Sequence, residues 1–306
     1  MRLSPEQLQR LGARARLRDL LFEACGVVAL LVALLVLAAL FLQLLLDGMP
    51  RLRPDFLLAY PSRFAEQAGI LPAWVGSALL MLVAALAAVP VGVAAGVYLE
   101  EYAPRNRLSD LIEINVSNLA GVPSILYGLL ALGLFVHRFG MGQSVLSAGL
   151  ALALLILPIV IVTTREAIRA VPGEVREASY GLGASRWQTV WHHVLPYSGA
   201  GILTGVILGL SRAIGETAPL ITLGALTFIA FLPPAPATAQ PPFVNADWLA
   251  APFTALPLQI FNWLSRPDPA FQANAAAAAV VLILMTLAMN GLAIWLRARA
   301  RRRLSW

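Results

Sequence analysis

Apolar residues in this chain do not recur at the spacing of a half-buried surface helix. They come in blocks of about twenty residues, the length needed to cross the hydrocarbon core of a bilayer. Six blocks stand out: Ala24–Leu46, Trp74–Leu99, Leu119–Val136, Ser144–Thr164, Ser198–Leu223 and Asn274–Leu296. They predict an all-α integral membrane protein with six transmembrane helices. Residues 1–23 are a basic lead-in, residues 24–296 the membrane domain and residues 297–306 a basic tail. A signal peptide would have a shorter apolar core and a small-residue cleavage site, so the first block is expected to be an uncleaved span. Proline falls within or at the start of several blocks, at Pro90, Pro123, Pro158 and Pro219. In lipid such breaks are tolerated only where neighbouring helices or a cavity satisfy the freed backbone groups, which favours a bundle around a pathway. Residues Asn115 to Ser124, with Gly121 and Pro123, predict a bend where the third span begins.

Two connections are long enough to carry structure. The outer segment 224–273 holds a proline-rich stretch, Pro233–Pro242, expected to be extended. It also holds Phe253–Leu264, where Phe253, Leu256, Ile260, Phe261 and Trp263 predict a short helix at the membrane interface. The other connection, Arg165–Pro196, reads as two short helices. In the first, Pro172 stands near the start, Val171, Val175, Ala178 and Leu182 share one face, and Gly181 and Gly183 end it. In the second, Ser185 and Gln188 form a capping box. Trp187, Val190, Trp191 and Val194 then make an apolar stripe opposite Arg186, Gln188, Thr189, His192 and His193. An aromatic amphipathic helix can simply lie among lipid headgroups. Here the polar faces mix acidic and basic groups, unlike the Arg/Lys-rich face of a lipid binder, and a knob docking into a groove of a partner protein accounts for them better.

Composition sharpens this. The chain is 59% hydrophobic and 12% charged, against about a quarter charged in soluble domains. All 22 basic residues are arginine. Without lysine there is no P-loop of the GxxxxGK[ST] type and no Schiff-base chemistry, so any energy from ATP has to come from a partner. Cys25 is the only cysteine, which rules out an intrachain disulfide or a cysteine metal site. His137, His192 and His193 lack metal-ligand spacing, and neither a metal nor a cofactor is expected in this chain. With the N-terminus inside, the inner segments carry 16 arginines and the outer ones 5. Both termini and the Arg165–Pro196 loop are therefore expected in the cytoplasm. The net charge of +6 then reflects topology and anionic lipid, not nucleic acid.

The fifth block reads GILTGVILGLSRAIGETAPLITL. Gly201, Gly205, Gly209, Ala213 and Thr217 recur every fourth residue and predict close packing on another helix, in this chain or in a second subunit. Beside the stripe stand Arg212 and Glu216. An arginine at mid-membrane costs about 2.5–3.5 kcal/mol on insertion scales. The pair can be a structural i, i+4 ion pair that lowers this cost. The favoured reading puts Arg212, Glu216 and Thr217 in a substrate pathway where Arg212 meets an anion, since intramembrane ionisable groups usually mark such routes. A carboxylate beside that route suits an anion that still carries a proton, such as hydrogen phosphate; sulfate has no proton to donate to it.

The spacing Glu177-Ala178-Ser179, then Gly183, then His193-x-Leu195-Pro196 resembles the EAA loop of ABC importer permeases, whose consensus is E-A-A-x3-G-x9-I-x-L-P. Ser179 stands where the consensus has alanine, and His193 where it has isoleucine. The run Ser211–Leu220 resembles the signature of the PstA-type permease family of phosphate importers. So do Asn118–Ile125 with Tyr127-Gly128, and Leu256–Ile260 with Phe261-Asn262. The resemblance extends from about residue 20 to 296; Pro233–Pro242 matches nothing in it. It implies a type I ABC importer (MetI-like) permease fold with cytoplasmic coupling helices, in a bacterial inner membrane. Glu177, Ala178, Ser179, Gly183, Trp187, Trp191, Leu195 and Pro196 would dock on the ATPase. The implied partners are a PstC-type permease, a PstB-type ATPase homodimer that binds ATP and magnesium, and an external PstS-type phosphate-binding protein. A permease for another oxyanion, molybdate or sulfate, and a phosphate-sensing membrane subunit are the alternatives.

Overall fold

The structure, a computed structural model, describes residues 5–237, 243 and 245–302. Helix α1 runs from Pro5 to Gly48, so the lead-in is helical from Pro5 and continuous with the first span. Its 44 residues reach about 66 Å, twice the roughly 30 Å of a bilayer core. A 3₁₀ turn at Met49–Arg51 leads to α2, Pro54–Leu58, with proline in its first turn. Helix α3, Leu71–Val97, ends in a π-helical turn at Tyr98–Tyr102. Helix α4, Arg107–Leu119, is started by Asn106, whose side chain accepts from the Ser109 N–H at 2.9 Å. Helix α5, Ser124–Ala131, follows and extends through a π-helical stretch to Arg138. α4 and α5 are bent by 106° at the intervening residues. Pro123 explains the bend: it disfavours a helical Val122 and has no N–H to continue the ladder. The third block is thus broken, with the expected bend before α5, which starts five residues later than the block.

Helix α6, Val145–Arg169, is the centre of the bundle. In its most apolar window 67% of residues are buried, against 0% for α1, which packs on α13 at the edge. α6 packs on α3, α5 and α9. Small residues set the spacing: a Cβ at Gly92 would lie 2.7 Å from Val160 Cγ1, and one at Gly96 2.7 Å from Thr164 Cβ. The loop after α6 forms α7, Gly173–Gly181, and α8, Arg186–Thr189, with a π-helical turn at Val190–Val194. Helix α9, Leu195–Ile214, continues from that turn.

The fifth span is broken, where the hydropathy block predicts one helix through Leu223. α9 stops at Ile214, Gly215–Thr217 are unwound, and α10 restarts at Ala218 for five residues. Pro219 is the cause. It offers no N–H to the Gly215 carbonyl, and its ring would clash with that carbonyl in a continuous helix. Thr217 therefore leaves the four-residue stripe and instead starts α10, its carbonyl accepting from Leu220 and Ile221 N–H at 3.0 Å.

The cap at the end of the bundle away from the Arg165–Pro196 loop contains α11, Asp247–Ala250, and α12, Leu256–Leu264; α13, Ala270–Arg302, closes the fold. α12 is buried in the core, contrary to the interfacial helix expected: Phe253, Leu256, Leu258 and Trp263 are at most 2% exposed. Only Phe261 and Leu264 of its large apolar side chains face outward. The Trp263 ring lies 6.0 Å from Phe56 and 6.3 Å from Phe271, joining α2, α12 and α13. Arg51 holds the cap together, donating to Asn274 Oδ1 at 2.7 Å and to the carbonyls of Glu66 and Ala68 at 2.8 and 2.9 Å. Of the proline-rich stretch, residues 233–237 lie outside any helix and residues 238–242 fall outside the described residues.

Candidate functional site

α9 lies against α6 through the glycine stripe. A Cβ at Gly201 would come 2.6 Å from Ala167 Cβ, one at Gly205 would run into Thr163, and one at Gly209 would touch Ile156 at 3.4 Å. The partner helix that the stripe requires is within this chain. Each step up α9 is matched by a step back along α6, which places Arg212 beside the middle of α6, far from both of its ends.

There Arg212 Nε sits 3.5 Å from Glu216 Oε1. Arg212 Nη1 donates to the carbonyl of Ala120, in the bend between α4 and α5, at 3.4 Å. Arg212 is in the last turn of α9, where the helix dipole favours a cation. Glu216 is in the unwound segment, so the pair straddles the break. The side chains remain 38% and 20% exposed. The guanidinium thus keeps donors without a protein partner among the described residues, a geometry able to receive an anion. Thr217, the next residue, is half-buried at the start of α10. Among the described residues no cluster of three or more His, Cys, Asp or Glu is placed to hold a metal.

The Arg165–Pro196 loop is a two-helix knob. Gly183 takes φ +82°, the left-handed conformation that turns the chain between α7 and α8. The capping box is present: Ser185 Oγ accepts from the Gln188 N–H at 3.3 Å, and Gln188 Oε1 accepts from the Ser185 N–H at 2.8 Å. The packing faces differ from the sequence pattern. Val171 and Val194 are buried with Ile168, Val175 packs against them, and Val190 is buried as well. Ala178 and Leu182, expected on the same face, are exposed. Trp187 and Trp191 are exposed and stacked at 5.4 Å, apart from the valines with which they share a helical spacing. The π-helical turn changes the angular step between these residues, which splits the stripe in two.

The inward residue of α7 is Ser179. Its hydroxyl meets that of Thr189 at 2.8 Å, both residues being buried, and so joins the two helices. The outer surface carries Tyr180, Leu182, Trp187 and Trp191, with Leu182 91% exposed. Glu177, Ala178 and His193 are exposed as well, while Leu195 and Pro196 open α9 half-buried. Exposed apolar and aromatic side chains gathered on one small unit make it a candidate interaction surface.

Three carboxylates escape the sequence reading. Glu101, in the π-helical turn after α3, accepts from Arg176 Nε at 3.0 Å and Nη2 at 2.7 Å. Arg176 also donates to the carbonyls of Ile168 and Val171 at the end of α6. Glu100 accepts from Arg169 at 3.1 Å and from Arg165 at 3.4 Å. Glu113 of α4 lies 2.8 Å from Arg165 and 3.7 Å from Arg169. α4 packs on α6, and the hydrogen bond from Arg165 holds the Glu113 carboxyl below the ordinary carboxylate range. In the sequence the partners are 52 to 75 residues apart. The available signal was the adjacent Glu100-Glu101 at the end of a span, facing a loop rich in arginine.

Comparison with known proteins gives one consistent family. Residues 88–305 match the family described as binding-protein-dependent transport system inner membrane component. The probable ABC transporter permease protein YqgI of Bacillus subtilis is 32% identical over 92% of this chain and 96% of its own length. The phosphate transport system permease protein PstA of Xylella fastidiosa is 33% identical over 92% of this chain and 93% of its own. PstA 1 of Mycobacterium tuberculosis is 36% identical over 79% and 74%. Among solved structures, an inward-facing MetNI methionine ABC transporter aligns with TM-score 0.55 at 16% identity, over 76% of this chain and 94% of that one; at that identity the likeness concerns the fold alone. With a bundle of this fold, a family match over most of its length and no P-loop lysine of its own, the chain belongs to the binding-protein-dependent transport system inner membrane component family, as a multi-pass ABC importer permease that works with a separate ATPase and a substrate-binding protein.

Proposed function

We propose that this permease moves inorganic phosphate into the cytoplasm. The observation that carries the reading is the Arg212–Glu216 pair, set in a break of the fifth span at the middle of the bundle. Relatives named as PstA phosphate permeases, 33–36% identical over most of the chain, support the same cargo. Arg212 offers charge-assisted hydrogen bonds to the anion. Glu216 orients Arg212 and accepts a hydrogen bond from the protonated oxygen of hydrogen phosphate, which a fully deprotonated oxyanion cannot supply. Thr217 starts the following helix beside the pair.

In this reading the termini and the knob face the cytoplasm, and the exposed Tyr180, Leu182, Trp187 and Trp191 enter a groove of a PstB-type ATPase homodimer, where ATP and magnesium bind. A PstC-type permease completes the pathway, and a PstS-type protein delivers phosphate to the outer cap. The test is ATP-dependent phosphate uptake by the four reconstituted components, with sulfate and molybdate as competitors. Arg212→Gln and Glu216→Gln should each lower uptake by about tenfold or more, the factor carried by 1.4 kcal/mol. Full uptake by both variants at normal assembly removes the pair from the pathway. Competition by molybdate or sulfate as strong as that by phosphate overturns the cargo.

A further inference from the structure

The knob is joined through the chain to α6 on one side and α9 on the other. A force on it reaches α3 through the tight α3–α6 packing, whereas α4 packs more sparsely on α6. Glu100, Glu101 and Glu113 add ion pairs to that packing. Through Arg176, Glu101 fastens the end of α3 to α7. Through Arg165 and Arg169, Glu113 fastens the middle of α4 to the end of α6, where Glu100 of α3 meets the same two arginines. Glu101 and Arg165 are buried, at 6% and 7% exposed, while the Glu113 and Arg169 side chains are 41% and 51% exposed.

Besides these pairs, α4 packs on α6 and is held at its end by the Tyr127 hydroxyl, which donates to the Leu119 carbonyl at 2.7 Å. None of its residues is buried. The hydrogen bonds of its Ser109 and Asn115 side chains are local, to Pro104 and Leu111. From Glu113 the helix runs on to the bend, where the Ala120 carbonyl accepts from Arg212. Seven residues separate Glu113 from Ala120, about 10 Å of helix. One end of this element touches the intramembrane arginine, and its midpoint is held by the arginines at the root of the knob.

We propose that α4 is a connecting rod between the knob and Arg212, and that Glu113 is the positioning residue that fastens it. The proposal rests on the reading of the knob as the ATPase dock and of Arg212 as part of the pathway. Movement of the knob displaces Arg165 and Arg169, these carry Glu113, and the Ala120 carbonyl moves relative to Arg212. The guanidinium then gains or loses one protein acceptor according to the state of the ATPase.

The experiment uses the four-component complex in nanodiscs, with Cys25→Ser and spin labels at Asn118→Cys on α4 and Leu208→Cys on α9. The interlabel distance is measured without nucleotide and with ATP trapped, beside ATPase capture and phosphate taken up per ATP hydrolysed. The parent should show a shift of about 2 Å or more on trapping. Glu113→Gln should lose that shift and lower uptake per ATP by about fivefold or more, the lower range of a typical coupling between sites. Its capture of the ATPase should stay within about twofold of the parent, as for a substitution away from the docking surface. A parent-like shift in Glu113→Gln overturns the proposal, as does a parent that captures the ATPase and shows no shift. A parent that captures no ATPase instead refutes the docking reading, and this proposal falls with it. Should Glu113→Gln fail to assemble, Glu113→Asp decides: its shorter arm cannot span both arginines, so the shift must shrink, and a parent-like shift overturns the rod.

Discussion

At the residue scale, close approach explains most of the pattern in the fifth span. Gly205 faces Thr163, whose hydroxyl is turned back to the Ile159 carbonyl at 2.7 Å and leaves room for a hydrogen but not for a methyl. Gly205→Leu should therefore destabilise the bundle by about 1–3 kcal/mol, the usual cost of overpacking. Gly199→Ala, with nothing within 4 Å of the added carbon, should be neutral or better. Thermal unfolding in detergent compares the two. Ser179 makes a second prediction. In Ser179→Ala the Thr189 hydroxyl stays buried without its partner, at a cost of about 1–3 kcal/mol. The loss should be read as weaker protease resistance of the loop, with the spans intact; unchanged resistance would show that the hydroxyl pair does not hold the knob together. The consensus has alanine at this position, and the contact that gives serine a role depends on Thr189, ten residues away.

At the element scale, the long apolar helices were legible because burial in lipid demands unbroken runs, and the knob was legible because Ser185, Gln188 and Gly183 carry local capping and turn rules. What escaped depends on partners distant in sequence or on small departures from the α-helical period. Trp187 and Trp191 share a spacing with Val190 and Val194, yet a π-helical turn sends the valines inward and the indoles outward. The Pro219 break was written in the chain, but an apolar run as long as Ser198–Leu223 hides it, because hydropathy does not register a missing N–H. α12 has the composition of an interfacial helix and is nevertheless core, because Phe56 and Phe271 close over Trp263 from both sides. Gly183 offers the test at this scale. Gly183→Ala forces a Cβ into the left-handed conformation at a cost of about 1–2 kcal/mol. ATPase capture should weaken while the spans keep their thermal stability; unaltered capture would mean that the turn does not set the docking geometry.

At the scale of the whole molecule, the bundle leaves large surfaces uncovered. α1 touches the rest chiefly through α13, where Gly48 fits against Ala277 so closely that an added Cβ would lie 2.7 Å from its backbone nitrogen. Gly48→Val should detach α1 and expose its outer end to proteolysis, which a cleavage assay in detergent would detect. Leu182→Glu and Trp187→Glu, both at exposed positions on the knob, should abolish capture of the ATPase and leave the melting temperature of the permease alone. Loss of both properties together would place these side chains in the fold and not in an interface. The broken fifth span has a consequence of its own. Its inner part, α9, interlocks with α6 through Gly205 and Gly209, whereas its outer part, α10, interlocks with α5, where Gly128 lies against Pro219 and Thr222. Arg212 therefore sits on the half of the span that interlocks with α6, and Glu216, at the root of α10, beside the half that interlocks with α5. Their 3.5 Å separation is a distance across a seam, so under the proposed function the charge presented to a passing ion would be set by how two halves of the bundle are aligned and not by either residue alone.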